Sequence, residues 1–411
     1  MRDFMQSRIA ERIGGEQFGK STVLYKFEKI KRAKAAARKA HPETALIDLG
    51  VGEPDEMAPA GIVEELYAQA QKPGNRGYSD NGIEEFKHAA ASYMAEIYGV
   101  PGLNPETEIN HAIGSKPALA MLPAVFINPG DVTLMTVPGY PVLGTVTQWL
   151  GGEVFPLPLR EGNGYLPDLA TVPPDVLRRT KLLYLNYPNN PTGAVASRDF
   201  FGGIVDWAHR HRVVVVHDAA YAPLIFDGEK PLSFLSTPGA KEIGIELHSL
   251  SKAYNMTGWR LAFVAGNPLA VKAFAAVKDV NDSGQFRAIQ WAGIHALQHP
   301  EYTAAINAKY SRRHDMLAAA LRQAGFAAKK PRGSFYLYVK APKAARDGRV
   351  FKNAEDFSEY LITSRLISTV PWDDVEPGVR FSVTFEASGE AAEREVIDEV
   401  GRRLGGLGLE F

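Results

Sequence analysis

Cysteine is absent from all 411 residues, which excludes disulfides, a thiolate nucleophile and any cysteine-ligated metal centre. An excess of one charge is missing too: 46 lysines and arginines stand against 47 aspartates and glutamates, a formal net charge of -1. Such a chain has no general field with which to gather nucleic acid or an anionic membrane surface, so small molecules are the expected partners. No apolar run approaches the ~20 residues that cross a bilayer. The polar stretch Met1 to Arg12 lacks the apolar centre of a secretory signal. The expected location is cytoplasmic, with neither nucleic acid nor membrane as a partner. Internal repeats, low-complexity tracts and long linkers are also lacking, so the domains are expected to be tightly joined.

What is present is enough apolar material, 45% of the residues, for a large enzyme of two to three domains. From Ile109 to Gly266 short apolar runs end in polar or Gly-rich turns and are often followed by helical patterns, a rhythm that implies α/β layering. Expected strands are Val132–Val137, Leu182–Asn186, Val213–His217, Ile243–His248 and Leu261–Ala265. Most are apolar on consecutive positions, as strands covered on both faces are. After Gly266 helical stretches around Pro268–Val280 and Gln290–Ala324 lead to alternating segments at Ser334–Lys340 and Val379–Phe385, the pattern of a smaller α+β unit. Lys26–Lys39 reads as a basic, solvated helix, and Leu46–Leu49 as an edge strand of the smaller unit.

In layered sheets of this kind ligands sit beyond the carboxyl ends of the strands, which directs attention to the residues after each run. Five such places carry chemistry. Ser249-Leu250-Ser251-Lys252-Ala253-Tyr254-Asn255-Met256-Thr257-Gly258-Trp259-Arg260 lies between two expected strands and joins a nucleophilic amine to a guanidinium that suits phosphate oxygens. His217-Asp218-Ala219-Ala220-Tyr221 puts a carboxylate at a strand end, where it faces a ligand or caps a helix. Asn186-Tyr187-Pro188-Asn189-Asn190-Pro191-Thr192-Gly193 has the composition of a turn. Ile113-Gly114-Ser115-Lys116-Pro117 opens a helical pattern whose first amides can face an anion. Pro138-Gly139-Tyr140-Pro141 closes another strand, where Tyr140 by itself is a core or turn tyrosine. Further on, Val379-Arg380-Phe381-Ser382-Val383 places Arg380 in an alternating segment, where an arginine by itself is simply exposed.

The order and spacing of these segments, from about Leu49 to Phe385, resemble the class I/II aminotransferases of fold type I. That resemblance implies a large α/β domain with a mostly parallel sheet between helical layers, plus a smaller α+β domain. It sets the expected divisions at 1–48, 49–280 and 281–411. It also implies pyridoxal 5'-phosphate as cofactor, with Lys252 forming the Schiff base and then acting as general base. By the same resemblance Asp218 pairs with the pyridine nitrogen, and Tyr221 and Asn190 donate to the phenolic oxygen. Tyr140 stacks on the ring, while Ser115, Lys116, Ser249 and Arg260 hold the phosphate. Arg380 clamps the substrate α-carboxylate, a bidentate pairing that fixes orientation as well as charge. No metal site is expected.

Within that family, Tyr25-Lys26-Phe27-Glu28-Lys29-Ile30 and Gly77-Tyr78 resemble the LL-diaminopimelate aminotransferases. These convert tetrahydrodipicolinate and L-glutamate to LL-2,6-diaminopimelate and 2-oxoglutarate. The resemblance implies a homodimer with shared active sites, in which Tyr25 and Tyr78 approach the site of the neighbouring subunit. Gly52 and Lys116 are implied on the substrate side, and Tyr78 as a phosphate or distal-substrate contact. Tyr78-Ser79-Asp80-Asn81-Gly82 departs from the pattern: it lacks the glutamate that the better-known branch uses at the distal substrate end. Asp80, Asn81, Lys116, Gln285 and Arg287 are the candidates for that end. An aspartate, alanine or aromatic aminotransferase, or a carbon–sulfur β-lyase of the same fold, are the alternative readings. A cofactor-binding regulator would need an attached nucleic-acid-binding domain.

Overall fold

A computed structural model describes residues 4–20 and 26–411. The apolar runs become the strands of a seven-stranded sheet. Before it comes β1 (Ile47–Asp48); the sheet itself comprises β2 (Ile109–Ala112), β3 (Val132–Val137), β4 (Glu153–Pro158), β5 (Thr180–Asn186), β6 (Val214–Asp218), β7 (Gly244–Ser249) and β8 (Ala262–Gly266). Their order across the sheet is β2-β8-β7-β6-β5-β3-β4. Neighbours from β4 to β7 are parallel, while β7–β8 and β8–β2 are antiparallel. Every position of β7 and β8 is buried, as covering both faces requires, whereas in the edge strand β4 only Leu157 is buried. β6 ends one residue later than the apolar run because Asp218 stays in register with Asn186 and Leu247.

Helices α1 (Lys26–Ala40), α2 (Ala60–Ala70), α3 (Glu84–Tyr98) and α4 (Ser115–Phe126) precede or interleave with the first strands. The stretch read as helical over Gln290–Ala324 is two helices, α5 (Arg287–Gln298) and α6 (Pro300–Gln323). The break falls at His299, because Pro300 has no amide to continue the ladder and is suited to start a new helix. α5 joins the apolar core of the large sheet through Ala292, Ile294 and Leu297. A second core gathers around a three-stranded sheet of β9 (Tyr336–Lys340), β11 (Val370–Trp372) and β12 (Gly378–Ser382), and includes Leu49, Tyr310 and Phe381. β1 pairs in parallel with β10 (Ile367–Ser368), so the Leu46–Leu49 run does join this side of the molecule. Helix α7 (Ala354–Tyr360) packs against β11. Among the described residues no helix is long and apolar enough to cross a membrane.

Candidate active site

The carboxyl ends of β3, β5, β6 and β7 open into a cavity of about 750 Å³ that is closed on the far side by β12. β7 leads straight into the short helix Leu250–Ala253, whose N-cap Ser249 accepts from the amide of Ser251 at 3.2 Å. One turn on, Lys252 points across the cavity and its Nζ donates to the carbonyl of Gly52 at 2.7 Å. Burial lowers its pKa to about 8; Glu53 works against the shift, and the nearby Arg260 and Arg380 add to it.

Arg260 ends the next short helix in a left-handed conformation (φ 59°), and its Nη1 donates to the carbonyl of Thr257 at 2.7 Å. Gln285 braces this corner, donating from Nε2 to the carbonyls of Trp259 and Arg260 at 2.6 and 2.9 Å. The guanidinium lies against Gly114 so closely that a Cβ there would collide with it, and the φ of +86° at Gly114 independently requires glycine. Gly114 is the N-cap of α4, so Ser115 and Lys116 reach the cavity at a helix start whose first amides lack intrahelical acceptors. Hydroxyls, a guanidinium and unpaired amides converge here, a donor set that fits a phosphate.

Asp218, at the end of β6, is buried, and burial raises its pKa. Opposing that shift, Oδ2 accepts from the Tyr184 hydroxyl at 3.1 Å and Oδ1 from the amide of Ala220 at 3.2 Å. The Tyr221 hydroxyl lies 3.3 Å from that of Tyr336, and burial raises its pKa strongly. Asn190 is held by its amide donating to Asn186 Oδ1 at 2.9 Å. Its own Oδ1 accepts from Arg380 Nη1 at 2.9 Å. Arg380 also donates from Nη2 to the carbonyl of Gly50 at 3.1 Å and lies 3.9 Å from the centre of the Tyr336 ring. Its buried Nε has no protein acceptor among the described residues. A stacked, desolvated guanidinium with donor capacity to spare suits a carboxylate ligand.

Of the residues singled out from sequence, Gly52, Ser115, Lys116, Tyr140, Asn190, Asp218, Tyr221, Ser249, Lys252, Arg260 and Arg380 all line this cavity. Tyr78 does not: it is 79% exposed on the surface of the chain. Tyr25 lies outside the described residues. Four of the five distal-end candidates are engaged elsewhere in the chain. The backbone carbonyl of Asp80 accepts from Lys278, the Asn81 side chain donates to Asp279, Gln285 braces Arg260, and Arg287 donates to the carbonyl of Tyr78. Sequence reading missed Tyr184, Tyr336, Trp372 and Asp374. Tyr184 was within reach, since it sits two residues before Asn186 and so on the same face of β5. The others had no local signal.

Behind the cavity floor, on the opposite face of the sheet from Asp218, Glu246 is fully buried between His217 and His248. Burial alone would raise its pKa, but the two imidazoles outweigh that and leave it well below the usual range. Among the described residues no group of three or more His, Cys, Asp or Glu could hold a metal ion.

The family profile described as aminotransferase class I and II matches residues 44–397. The LL-diaminopimelate aminotransferase of Methanocaldococcus jannaschii is 56% identical over 419 aligned positions that cover 100% of both chains. That of Methanococcus maripaludis is 57% identical over 409, covering 98% of each. Among solved structures, substrate-bound BacF from Bacillus subtilis superposes with a TM-score of 0.86 at 34% identity, covering 98% of each chain.

Proposed function

Since the chain belongs to the class I and II aminotransferases, enzymes that use pyridoxal phosphate, we propose that it interconverts tetrahydrodipicolinate plus L-glutamate with LL-2,6-diaminopimelate plus 2-oxoglutarate. The observation that carries the substrate is the 56–57% identity, over nearly the full length of both chains, to two enzymes of that name. The chemistry rests on the cavity. When bound, pyridoxal phosphate supplies the electron sink that makes a substrate Cα acidic.

On this reading each residue has a part, which its place in the cavity supports. Lys252 would attach the cofactor, and once displaced by a substrate amine its neutral amine would take the proton from the substrate Cα and, as the ammonium so formed, give it up again as general acid to the cofactor carbon it had been bonded to. A pKa near 8 keeps a useful fraction of this amine neutral at physiological pH. Asp218, oriented by Tyr184, would hold the ring nitrogen in its protonated form, and Tyr140 would hold the ring. Ser115, Lys116, Ser249 and Arg260 hold the phosphate. Arg380 occupies the Oδ1 of Asn190, which leaves the amide Nδ2 as the group that Asn190 offers beside Tyr221 to the phenolic oxygen. The fork of Arg380 takes the substrate α-carboxylate, close to Gly52.

The reading includes a cytoplasmic homodimer with shared sites, in which exposed Tyr78, and Tyr25, serve the neighbouring subunit. It also includes divisions near residues 48 and 280. Two separate apolar cores support these, although α5 belongs to the larger one. The test is glutamate production by the cofactor-loaded enzyme given LL-diaminopimelate and 2-oxoglutarate, with aspartate, alanine, an aromatic amino acid and cystathionine as rival substrates. Glutamate formed with LL-diaminopimelate is the expected result. Turnover of a rival amino acid alone would discard the substrate and keep the chemistry, and release of pyruvate and ammonia from cystathionine would mark a lyase.

A further inference from the structure

A diamino dicarboxylic substrate such as LL-2,6-diaminopimelate differs from glutamate by a longer chain and a second ammonium, which has to enter the cavity at the end remote from the reacting carbon. Leaving a cation half-desolvated without an acceptor is costly, so the wall is expected to offer a carboxylate. The segment Tyr78–Gly82 has no glutamate for this purpose, and Asp80 does not line the cavity of its own chain. Among the described residues that line the cavity, the carboxylates are Asp218 and Asp374. Asp218 lies deep in the floor and is already held by Tyr184 and the Ala220 amide.

Asp374 sits in the loop that joins β11 to β12, the strand of Arg380. The other two carboxylates of this loop are engaged. Asp373 accepts the amides of Ala354 and Glu355 at 2.8 and 3.1 Å, which caps α7, and Glu376 pairs with Arg160 at 2.8 Å. Asp374 makes no ion pair among the described residues and turns to the cavity. The register pairs Trp372 with Gly378 and Val370 with Arg380. Two to four residues of strand therefore separate Arg380 from Asp374, roughly 7–14 Å. That span suits a substrate whose two amino-acid ends are separated by three methylenes, with its reacting carboxylate on Arg380.

On the reading that LL-diaminopimelate is a substrate, we propose that Asp374 accepts the distal ammonium and so sets the preference for a diamino dicarboxylate over glutamate. Trp372, which also lines the cavity, closes the same side of the wall. Glutamate is too short to bring a group to this loop and carries no second ammonium.

The experiment uses the cofactor-loaded enzyme and measures each half-reaction alone, by the change in cofactor absorbance on adding LL-diaminopimelate or glutamate. For Asp374→Asn the ratio of efficiencies, LL-diaminopimelate over glutamate, falls by about tenfold, as loss of one charge-assisted hydrogen bond at a partly open site predicts. The loss appears in substrate affinity rather than in the limiting rate, and Asp374→Glu keeps more of the ratio than Asp374→Asn. An unchanged ratio in an active Asp374→Asn enzyme overturns the role of Asp374 alone. A wild-type enzyme that reacts with glutamate but not with LL-diaminopimelate overturns the substrate reading, and this proposal with it.

Discussion

Lys252 combines a half-hidden position with two neighbouring guanidinium groups, and its pKa of about 8 sits well below the ordinary 10.5 for that reason. Only the neutral amine attacks an aldehyde, so in the cofactor-free enzyme the rate of pyridoxal phosphate attachment is expected to rise with pH and level off above about 8. Stopped-flow absorbance would show it, and a midpoint near 10.5 would mean that the cavity does not perturb this lysine. Between those two values the unfolded chain binds more protons at this residue than the folded one, so its contribution to stability rises with pH across that window. Lys252→Ala is expected to lower turnover at least about 1000-fold, because it removes the proposed base as well as the proposed attachment point. Cofactor should still bind reversibly through Arg260, Asp218 and the start of α4, which dialysis and kcat measured on one preparation would establish.

Strands β6 and β7 support the site from beneath. Glu246 stands directly across the ladder from His217. Its carboxylate accepts from Ser233 Oγ at 2.6 Å and from the Phe234 amide at 2.7 Å, and lies 2.8 Å from His217 Nδ1 and 2.6 Å from His248 Nε2. Breaking such a buried, fully partnered charge leaves the other groups without their acceptor. Glu246→Ala is therefore expected to cost about 3–5 kcal/mol in urea denaturation. The depressed pKa sets the sign with pH: this carboxylate's contribution is present above the ordinary 4.5 and is lost as pH falls toward its folded value. The stability gap between wild type and variant should narrow on acidification, and a gap that stays constant with pH would remove the electrostatic explanation.

At the scale of the whole molecule, Tyr78 is 79% exposed and does not line the cavity of its own chain. On the proposed dimer Tyr78 completes the neighbour's site, and complementation tests this directly. Lys252→Ala and Tyr78→Ala chains are each expected to be nearly inactive. Mixed and re-associated, they should regain about a quarter of wild-type activity, because half the dimers are hybrids and each hybrid has one intact site. If Tyr78 serves its own chain, no hybrid site is intact and mixing restores nothing.

The sequence by itself determined five of the seven strands of the large sheet, all but β2 and β4, and the identity of the residues at their ends. Apolar periodicity and turn chemistry act over a few neighbouring residues, and a motif such as Ser249 to Arg260 carries its hydroxyl, amine and guanidinium groups within one short segment. The division between α5 and α6 was legible too, in Pro300, although the helical pattern that runs through His299 reads as one stretch. Only the tertiary structure decided that Arg380 holds Asn190 across a separation of 190 residues, that Tyr336 packs beneath that guanidinium, and that Asp374 turns to the cavity while Asp373 and Glu376 are engaged elsewhere. These depend on how β12 closes over the ends of β5, β6 and β7, and side chains brought together by folding leave no period in the chain from which to read their meeting.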